Sequence, residues 1–277
     1  VFRHGLASQY EAIFRWSMMR MALEQAGPAG RRLRRTTAAA TLDPSEKGSI
    51  NYYLGLAVTK LFAEMTLGTP WLLHLDVFRP QLNPVLRGRS RPDLVGQLPN
   101  GDWVAFECKG RLTPPDLRSK QRAKQQAQRL ISVNGQRPRL AVGAFAYFRN
   151  DVLRFYWEDP EPKVLPNPIS FECTPSAWKY YYDPVLALLR SRPDALNSMR
   201  KSEHLAEIEE ADVKIGIHPE ILRALESDSS MPPKIWNPSR PSHEGESGIH
   251  YHSDGIAVVA GPTWSERFKD GEQNGDT

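Results

Sequence analysis

Residues 91–111 constrain this chain more than any other stretch: Arg-Pro-Asp-Leu-Val-Gly-Gln-Leu-Pro-Asn-Gly-Asp-Trp-Val-Ala-Phe-Glu-Cys-Lys-Gly-Arg. Asn100-Gly101 stands between two apolar runs, the strongest short-range signal for a hairpin. Side chains alternate faces along a strand, so Ala105, Glu107 and Lys109 share one face and Val104, Phe106 and Cys108 the other. The apolar set enters a core while the charged pair faces a cleft. The hairpin folds the strand carrying Asp93 back, antiparallel, onto the strand carrying Glu107. Two carboxylates and an ammonium then converge on one edge of a small sheet. A hard divalent cation such as Mg²⁺ takes one or two carboxylates plus waters and phosphate oxygens. Such an ion acidifies bound water and neutralises charge developing on a phosphate.

Pro92-Asp93 followed by Glu107-x-Lys109 resembles the signature of the PD-(D/E)xK, or restriction-endonuclease-like, nuclease superfamily. The resemblance covers residues 46–158 and implies an α/β fold with an αβββαβ core around a mixed central sheet, a helix preceding a three-stranded meander. It implies Mg²⁺- or Mn²⁺-dependent hydrolysis of phosphodiester bonds in DNA. Asp93 and Glu107 would be metal ligands, with Lys109 positioning water or stabilising charge. Two other acid-x-Lys triplets lack this context. Residues 161–163 lie among Pro160, Pro162 and Pro166, which exclude a central strand, and residues 212–214 have neither an upstream Pro-Asp nor a hairpin.

The preceding segment predicts a helix over residues 49–67, closed by Gly68 and Pro70. Ile50, Tyr53, Leu54, Ala57, Leu61 and Met65 recur at helical spacing, with Glu64 in the same stripe. A carboxylate on an apolar face must be paired, ligated or at its edge. In the resembling family an acid on this helix often completes the metal site, which makes Glu64 a fourth site candidate and third carboxylate. Residues 71–78 read as a strand. Arg87, Arg89 and Arg91 alternate just before Asp93, placed either to grip a nucleic-acid backbone or to lie on a solvated loop. After the site, Asp116 suits the positive end of a helix running to about Ile131. Its polar stripe holds Lys120, Gln121, Lys124 and Gln125, and some subfamilies of the resemblance place a Gln there. Arg111, Lys120, Gln121 and Lys124 join the three arginines as candidate nucleic-acid contacts. Residues 140–148 and 152–157 read as strands joined by Asn150-Asp151.

The formal charge of +4 conceals an asymmetry. Residues 1–160 hold 24 Lys and Arg against 13 Asp and Glu, and the remainder 12 against 19, so the halves carry +11 and −7. A basic half around the site is what a polyphosphate ligand requires. Cys108 and Cys173 are too few for a disulfide framework and lack zinc spacing, so both read as reduced core residues. No run of about 18 apolar residues predicts a membrane span, and no signal-peptide core is seen. The expectation is a cytoplasmic protein without a membrane partner. Val1 in place of Met suggests numbering that begins inside a longer chain or after processing.

Four regions are expected: residues 1–45 as N-terminal helix and basic linker, 46–160 as nuclease core, 161–230 as a helical C-terminal extension, and 231–277 as a Pro/Ser/Gly-rich tail with a hairpin around Ser253-Asp254-Gly255. The first helix, residues 7–26, sets Tyr10, Phe14, Met18, Met21 and Leu23 near one face for docking onto the core, a second copy or a partner subunit. Residues 31–35 read as a solvated linker. Trp178 to Tyr182 read as packing in preference to base stacking, residues 203–212 as an exposed acidic helix, 213–217 as a strand and 219–226 as a helix. His250 and His252 share a strand face, too few for a metal site by themselves. The alternatives to a defence or DNA-processing nuclease are a catalytically silent nucleic-acid-binding or scaffolding module of a larger complex, and a structural interaction protein.

Overall fold

The computed structural model describes residues 6–27, 31–78, 90–159, 169–171, 176–191, 205–227, 229, 243–244 and 249–265. Helix α1 (Leu6–Ala22) gives way to a hairpin of β1 (Leu23–Ala26) and β2 (Arg32–Arg35), followed by α2 (Thr37–Thr41) and α3 (Pro44–Leu67). Strand β3 (Leu72–His74) leads to β4 (Leu94–Gln97) and β5 (Trp103–Arg111), then α4 (Leu117–Ala127), β6 (Leu130–Val133), β7 (Leu140–Arg149) and β8 (Val152–Glu158). The chain is α/β, with a mixed seven-stranded sheet in the order β1-β2-β8-β7-β5-β4-β3. Its one parallel pair is β5 with β7, whose crossover carries α4, since parallel neighbours need a long connection.

Local chemistry accounts for these elements. Gly101 takes φ 89° in the turn between β4 and β5, where Leu94 faces Phe106 and Gln97 faces Trp103. Asn150 and Asp151 both adopt positive φ, 51° and 58°, and join β7 to β8, as a two-residue hairpin with the right twist requires. Helix α3 starts five residues before the predicted Ser49. Asp43 accepts hydrogen bonds from Ser45 N and Glu46 N, and Glu46 accepts one from Asp43 N, a reciprocal cap that lies upstream of the apolar stripe. Asp116 caps α4 through Ser119 N at 2.7 Å. That helix stops at Ala127, and the predicted last turn is strand β6 instead.

The pleat of β5 sorts two cores. Val104, Phe106 and Cys108 pack with Phe62, Ala63, Leu72, Leu94, Val142 and Ala144 beneath α3. Trp103 and Ala105 point the other way, to Leu73, Leu75, Val95, Leu130 and Val133. Two close approaches set the layers. A Cβ on Gly110 would stand 1.6 Å from the Asn51 carbonyl oxygen of α3, and one on Gly143, paired with Glu107, would meet Ala123 of α4 at 3.3 Å. Helices thus cover opposite faces of β5 and β7.

Several expectations are corrected. Residues 31–35 are no linker: β2 pairs with β8 and extends the sheet. The N-terminal helix ends at Ala22, and its expected stripe splits. Ala22 packs with Met18, Met21 and Leu23 against Ile50, Leu54 and Phe148, while Tyr10 and Phe14 are 63% and 58% exposed. The acidic segment is not an exposed helix but strand β10 (Ala206–Ile208) and a 3₁₀ turn; β9 (Ile169–Phe171) and α5 (Asp183–Arg190) precede it. Alternation explains the strand, because Ala206 and Ile208 are buried and Glu207 is exposed. β10 pairs with β11 (Val213–Ile217), helix α6 (Pro219–Glu226) follows, and the short strands β12 (His243–Glu244) and β13 (His250–Tyr251) precede β14 (Ile256–Ala260), which closes on β11. The expected turn at Ser253-Asp254-Gly255 is present, with Gly255 at φ 68°. Ala12 of α1 joins Trp178, Tyr182, Leu189, Ile208 and Ile217 in this second core, so the aromatic run 178–182 is packing. Most of the tail from residue 228 to 248 and Cys173 lie outside the described residues.

Gly110→Ala is expected to lower stability by about 3 kcal/mol in urea unfolding, because helix and strand backbones must separate. Gly48→Ala, where an added methyl meets nothing within 4 Å, is expected to be neutral or to stabilise by up to about 1 kcal/mol. Equal effects at the two positions would contradict the packing described.

Candidate functional site

Asp93 stands where β4 begins, and backbone bonds fix it on both sides. Its N–H donates to Phe106 O at 2.9 Å, and its carbonyl accepts from Leu75 N at 2.9 Å. Its Oδ2 accepts the Cys108 N–H at 2.7 Å, which ties the carboxylate directly to β5. Buried Pro92 precedes it. Upstream, Ser90 is held by Gln126 Nε2 at 2.8 Å and, through its carbonyl, by Arg129 Nη1 at 2.6 Å, so the end of α4 steadies the entry to Asp93.

Glu107 is 1% exposed. Its Oε1 pairs with the Lys109 ammonium, whose side chain is 38% exposed. Its Oε2 is buried and has no hydrogen-bond partner among the described residues. Burial, and then the negative charge of Asp93, push the Glu107 carboxyl up to about 7 against the opposing pull of Lys109. Burial likewise raises Asp93, although the Cys108 N–H and Lys109 work to lower it. Two carboxylates share a poorly solvated corner with one partly solvated cation. Such a pair must share a proton or a cation, and a hard divalent ion has the required charge and oxygen preference. The donor set therefore fits the ion expected from the sequence. Among the described residues no group of three or more His, Cys, Asp and Glu side chains is placed to hold a metal, so any ion here would complete its shell with water or substrate oxygens.

The remaining sequence candidates are placed differently. Glu64 belongs to another cluster, in which its carboxylate accepts from Lys60, from Ser253 Oγ and from Ser253 N at 3.2 Å. Lys60 also donates to Asp254 Oδ2 at 2.7 Å, Tyr181 donates to the same oxygen at 2.6 Å, and Tyr182 donates to the Asp254 carbonyl at 2.5 Å. Burial opposes the Lys60 charge, but Asp254 and Glu64 outweigh it and hold the ammonium. For Glu64 in turn, burial is outweighed by Lys60 and its carboxyl is lowered. Arg91 pairs with Asp76, Arg111 donates to Ser119 Oγ, Lys124 pairs with Glu158, and Lys120 lies 3.8 Å over the Tyr156 ring. Gln121 and Gln125 are exposed, while Arg87 and Arg89 lie outside the described residues.

Sequence reasoning missed His74 and Tyr52. His74 lies opposite Leu94, the residue after Asp93. Its Nε2 is 3.0 Å from the Tyr52 hydroxyl and its Nδ1 is buried with no hydrogen-bond partner among the described residues. Burial lowers the His74 pKa against the opposing charges of Asp93 and Asp76, which favours the neutral ring. One signal was available: two titratable side chains, His74 and Asp76, inside the otherwise apolar run 71–78.

The fold and the cluster define an α/β chain with a carboxylate, carboxylate and lysine set on its central hairpin. Comparison with family models, curated proteins and solved structures finds no match to this chain.

Without metal, the raised Glu107 pKa means the folded chain binds that proton more tightly than the unfolded chain does. Its contribution to stability is complete below about pH 4.5 and is lost as pH rises through about 7, on the order of 3 kcal/mol in all, with Asp93 acting in the same direction. Glu107→Gln is therefore expected to gain stability over wild type between pH 5 and pH 8, measured by urea unfolding in EDTA. A difference between the two proteins that stays constant or reverses with pH would contradict this.

Proposed function

We propose that this chain is a metal-dependent nuclease that hydrolyses phosphodiester bonds in DNA. The observation that carries the reading is the buried Glu107 carboxylate, one oxygen unpartnered, beside Asp93 and the half-exposed Lys109 on a single hairpin. Acids shifted upward by burial, with Asp93 adding to the push on Glu107, are the kind of cluster that functional sites are built from. The order α3, β3-β4-β5, α4, β7 supports the reading, since it is the helix, meander, helix and strand sequence that the resemblance implies. The preference for DNA and a setting in cytoplasmic genome defence or DNA processing rest on that resemblance.

In this reading Asp93 and Glu107 hold a Mg²⁺ or Mn²⁺ ion, which when bound supplies an acidified water and neutralises charge on the phosphate. Asp93 contributes a carboxylate whose position is fixed by the Cys108 N–H. Glu107 would hold the ion as a carboxylate, its proton lost to solvent, with Oε1 still paired to Lys109. The Lys109 ammonium, anchored at one end by Glu107 and open to solvent at the other, orients the attacking water and donates to the phosphate oxygen as negative charge grows. Glu64 has no part in this scheme, because its carboxylate is committed to Lys60 and Ser253.

A catalytically silent binding module is the second reading. Of the nucleic-acid-binding and scaffolding forms of that module, the scaffolding one is favoured by the commitment of Arg91, Arg111 and Lys124 to protein partners, which leaves fewer cations for a nucleic-acid backbone.

The test is cleavage of plasmid, linear duplex, single-stranded DNA and RNA in Mg²⁺, Mn²⁺ or EDTA. Wild type is expected to cleave only with metal. Asp93→Asn, Glu107→Gln and Lys109→Ala are each expected to lose about 100-fold or more, with circular dichroism unchanged. Glu64→Gln is expected to retain cleavage and unfold at lower temperature. Metal-independent cleavage, or full activity in Glu107→Gln, would overturn the proposal.

A further inference from the structure

Among the described residues, most of the outer edge of β8 is open. Strand β2 meets β8 at Arg34 and Val152, where Arg35 N also donates to the Asp151 carbonyl at 2.8 Å, and its register with β8 extends no further. Arg149 and Val152 close a two-residue hairpin, so Val152, Arg154, Tyr156 and Glu158 direct their backbone groups to β7. Phe155 and Trp157 direct theirs outward. The chain leaves β8 on its paired side, since Asp159 Oδ1 accepts Ala141 N at 3.0 Å, and it is next described in β9, beside β6.

Apolar surface gathers at this edge. The Phe62 ring of α3 lies 5.2 Å from that of Phe155 and 4.9 Å from that of Trp157, between centroids, yet Trp157 is 42% exposed. Leu61 and Met65, one turn apart on α3, are 50% and 82% exposed. Gly55 of the same helix lies on the Gly110 backbone. By helical phase Leu61 and Met65 fall on one side of Gly55, while Tyr52, which reaches His74 on β3, falls on the other. Leu61, Met65 and Trp157 therefore border the β8 side of the sheet. An apolar edge strand with free N–H and C=O groups is a template for a further strand.

The strand that fits is β8 itself. Arg154-Phe155-Tyr156-Trp157-Glu158 is complementary to its own reverse. Antiparallel pairing centred on Tyr156 sets Arg154 opposite Glu158, Phe155 opposite Trp157 and Tyr156 opposite Tyr156. The outward backbone groups of Phe155 and Trp157 then meet each other, as the alternation of an antiparallel ladder requires. Unlike charges and aromatic pairs are the favourable cross-strand combinations. Glu158 already pairs with Lys124 and accepts from Tyr156, and a carboxylate has acceptor sites to spare for Arg154. We infer that β8 pairs with β8 of a second copy of this chain about a two-fold axis at Tyr156, joining two seven-stranded sheets into one with Trp157, Leu61 and Met65 at the contact. The dimer needs neither metal nor nucleic acid.

The experiment is sedimentation velocity on the full chain in EDTA, followed by disulfide trapping. Wild type is expected to pass from monomer to dimer between about 1 and 100 µM. Trp157→Lys is expected to weaken that association by about 10-fold or more, with circular dichroism unchanged. Val259→Lys, at an exposed position on the edge strand β14, leaves it as in wild type. In trapping, Tyr156→Cys is expected to give a disulfide-linked dimer under mild oxidation, because residues facing each other across the axis lie about 4.5 Å apart between Cα atoms, within disulfide reach. Arg154→Cys should not, since the same residue of the second copy is offset by four residues along the ladder, about 13 Å. Wild type carried through the same oxidation gives the background from Cys108 and Cys173. A wild type that stays monomeric at about 100 µM, a dimer that survives Trp157→Lys intact, or equal trapping at positions 154 and 156 overturns the inference.

Discussion

A buried carboxylate with one unpartnered oxygen is the constraint on which the rest of this structure depends. Glu107 is almost wholly removed from water, beside a second carboxylate, and among the described residues a partly exposed lysine is its one compensating charge. Apolar residues at such a position are commonly neutral or stabilising, so stability alone gives no reason for an acid here. The surroundings are arranged to hold it. The Cys108 N–H fixes Asp93, α3 lies on the glycine backbone two residues beyond Cys108, and Gly143 beside Glu107 admits α4. The proposed metal chemistry, which requires a concentrated negative corner, would account for the cost.

A second polar centre does the opposite kind of work. Lys60, Glu64 and Asp254 form a nearly closed set of charges, completed by Tyr181, Ser253 and the Asp254 carbonyl bond to Tyr182. Trp71 Nε1 donates to the Tyr182 hydroxyl at 2.9 Å, so the start of the β3 segment is bound into it as well. Charges paired and hydrogen-bonded on all sides are tolerated in an interior because no partner is left over. This centre ties the central helix to the C-terminal turn, whereas the Asp93 and Glu107 corner is left incomplete. The two sets of acids in this chain thus differ as a satisfied cluster from an unsatisfied one, and the proposed function assigns catalysis to the second.

The parts of this arrangement that were legible in the sequence are those governed by short-range rules. Asn100-Gly101 and Asn150-Asp151 specify their turns, the pleat alone separates Glu107 and Lys109 from Phe106 and Cys108, and Asp116 marks the start of its helix. What was illegible depends on tertiary partners. Glu64 occupies an apolar stripe, and nothing local distinguishes an acid that meets a metal from one that meets Lys60 and a serine nearly two hundred residues away. Residues 32–35 have the composition of a linker, and become a strand because β1 pairs with all four of them and β8 meets them at Arg34. Tyr52 and His74 are ordinary in sequence, and their significance comes from a 3.0 Å contact between helix and strand next to Asp93.

Direct metal titration tests, without substrate, whether Asp93 and Glu107 together form a cation site. Calorimetric titration of Mn²⁺ into the full chain near pH 6.5, in two buffers of different ionisation enthalpy, reports stoichiometry and proton release together. One ion per chain is expected to bind with release of a fraction of a proton, because Glu107 is partly protonated there and must lose its proton to ligate. Binding and proton release should both vanish in Asp93→Asn and Glu107→Gln and persist in Glu64→Gln. Saturable binding that survives in Glu107→Gln, or its absence from wild type at millimolar metal, would contradict the account.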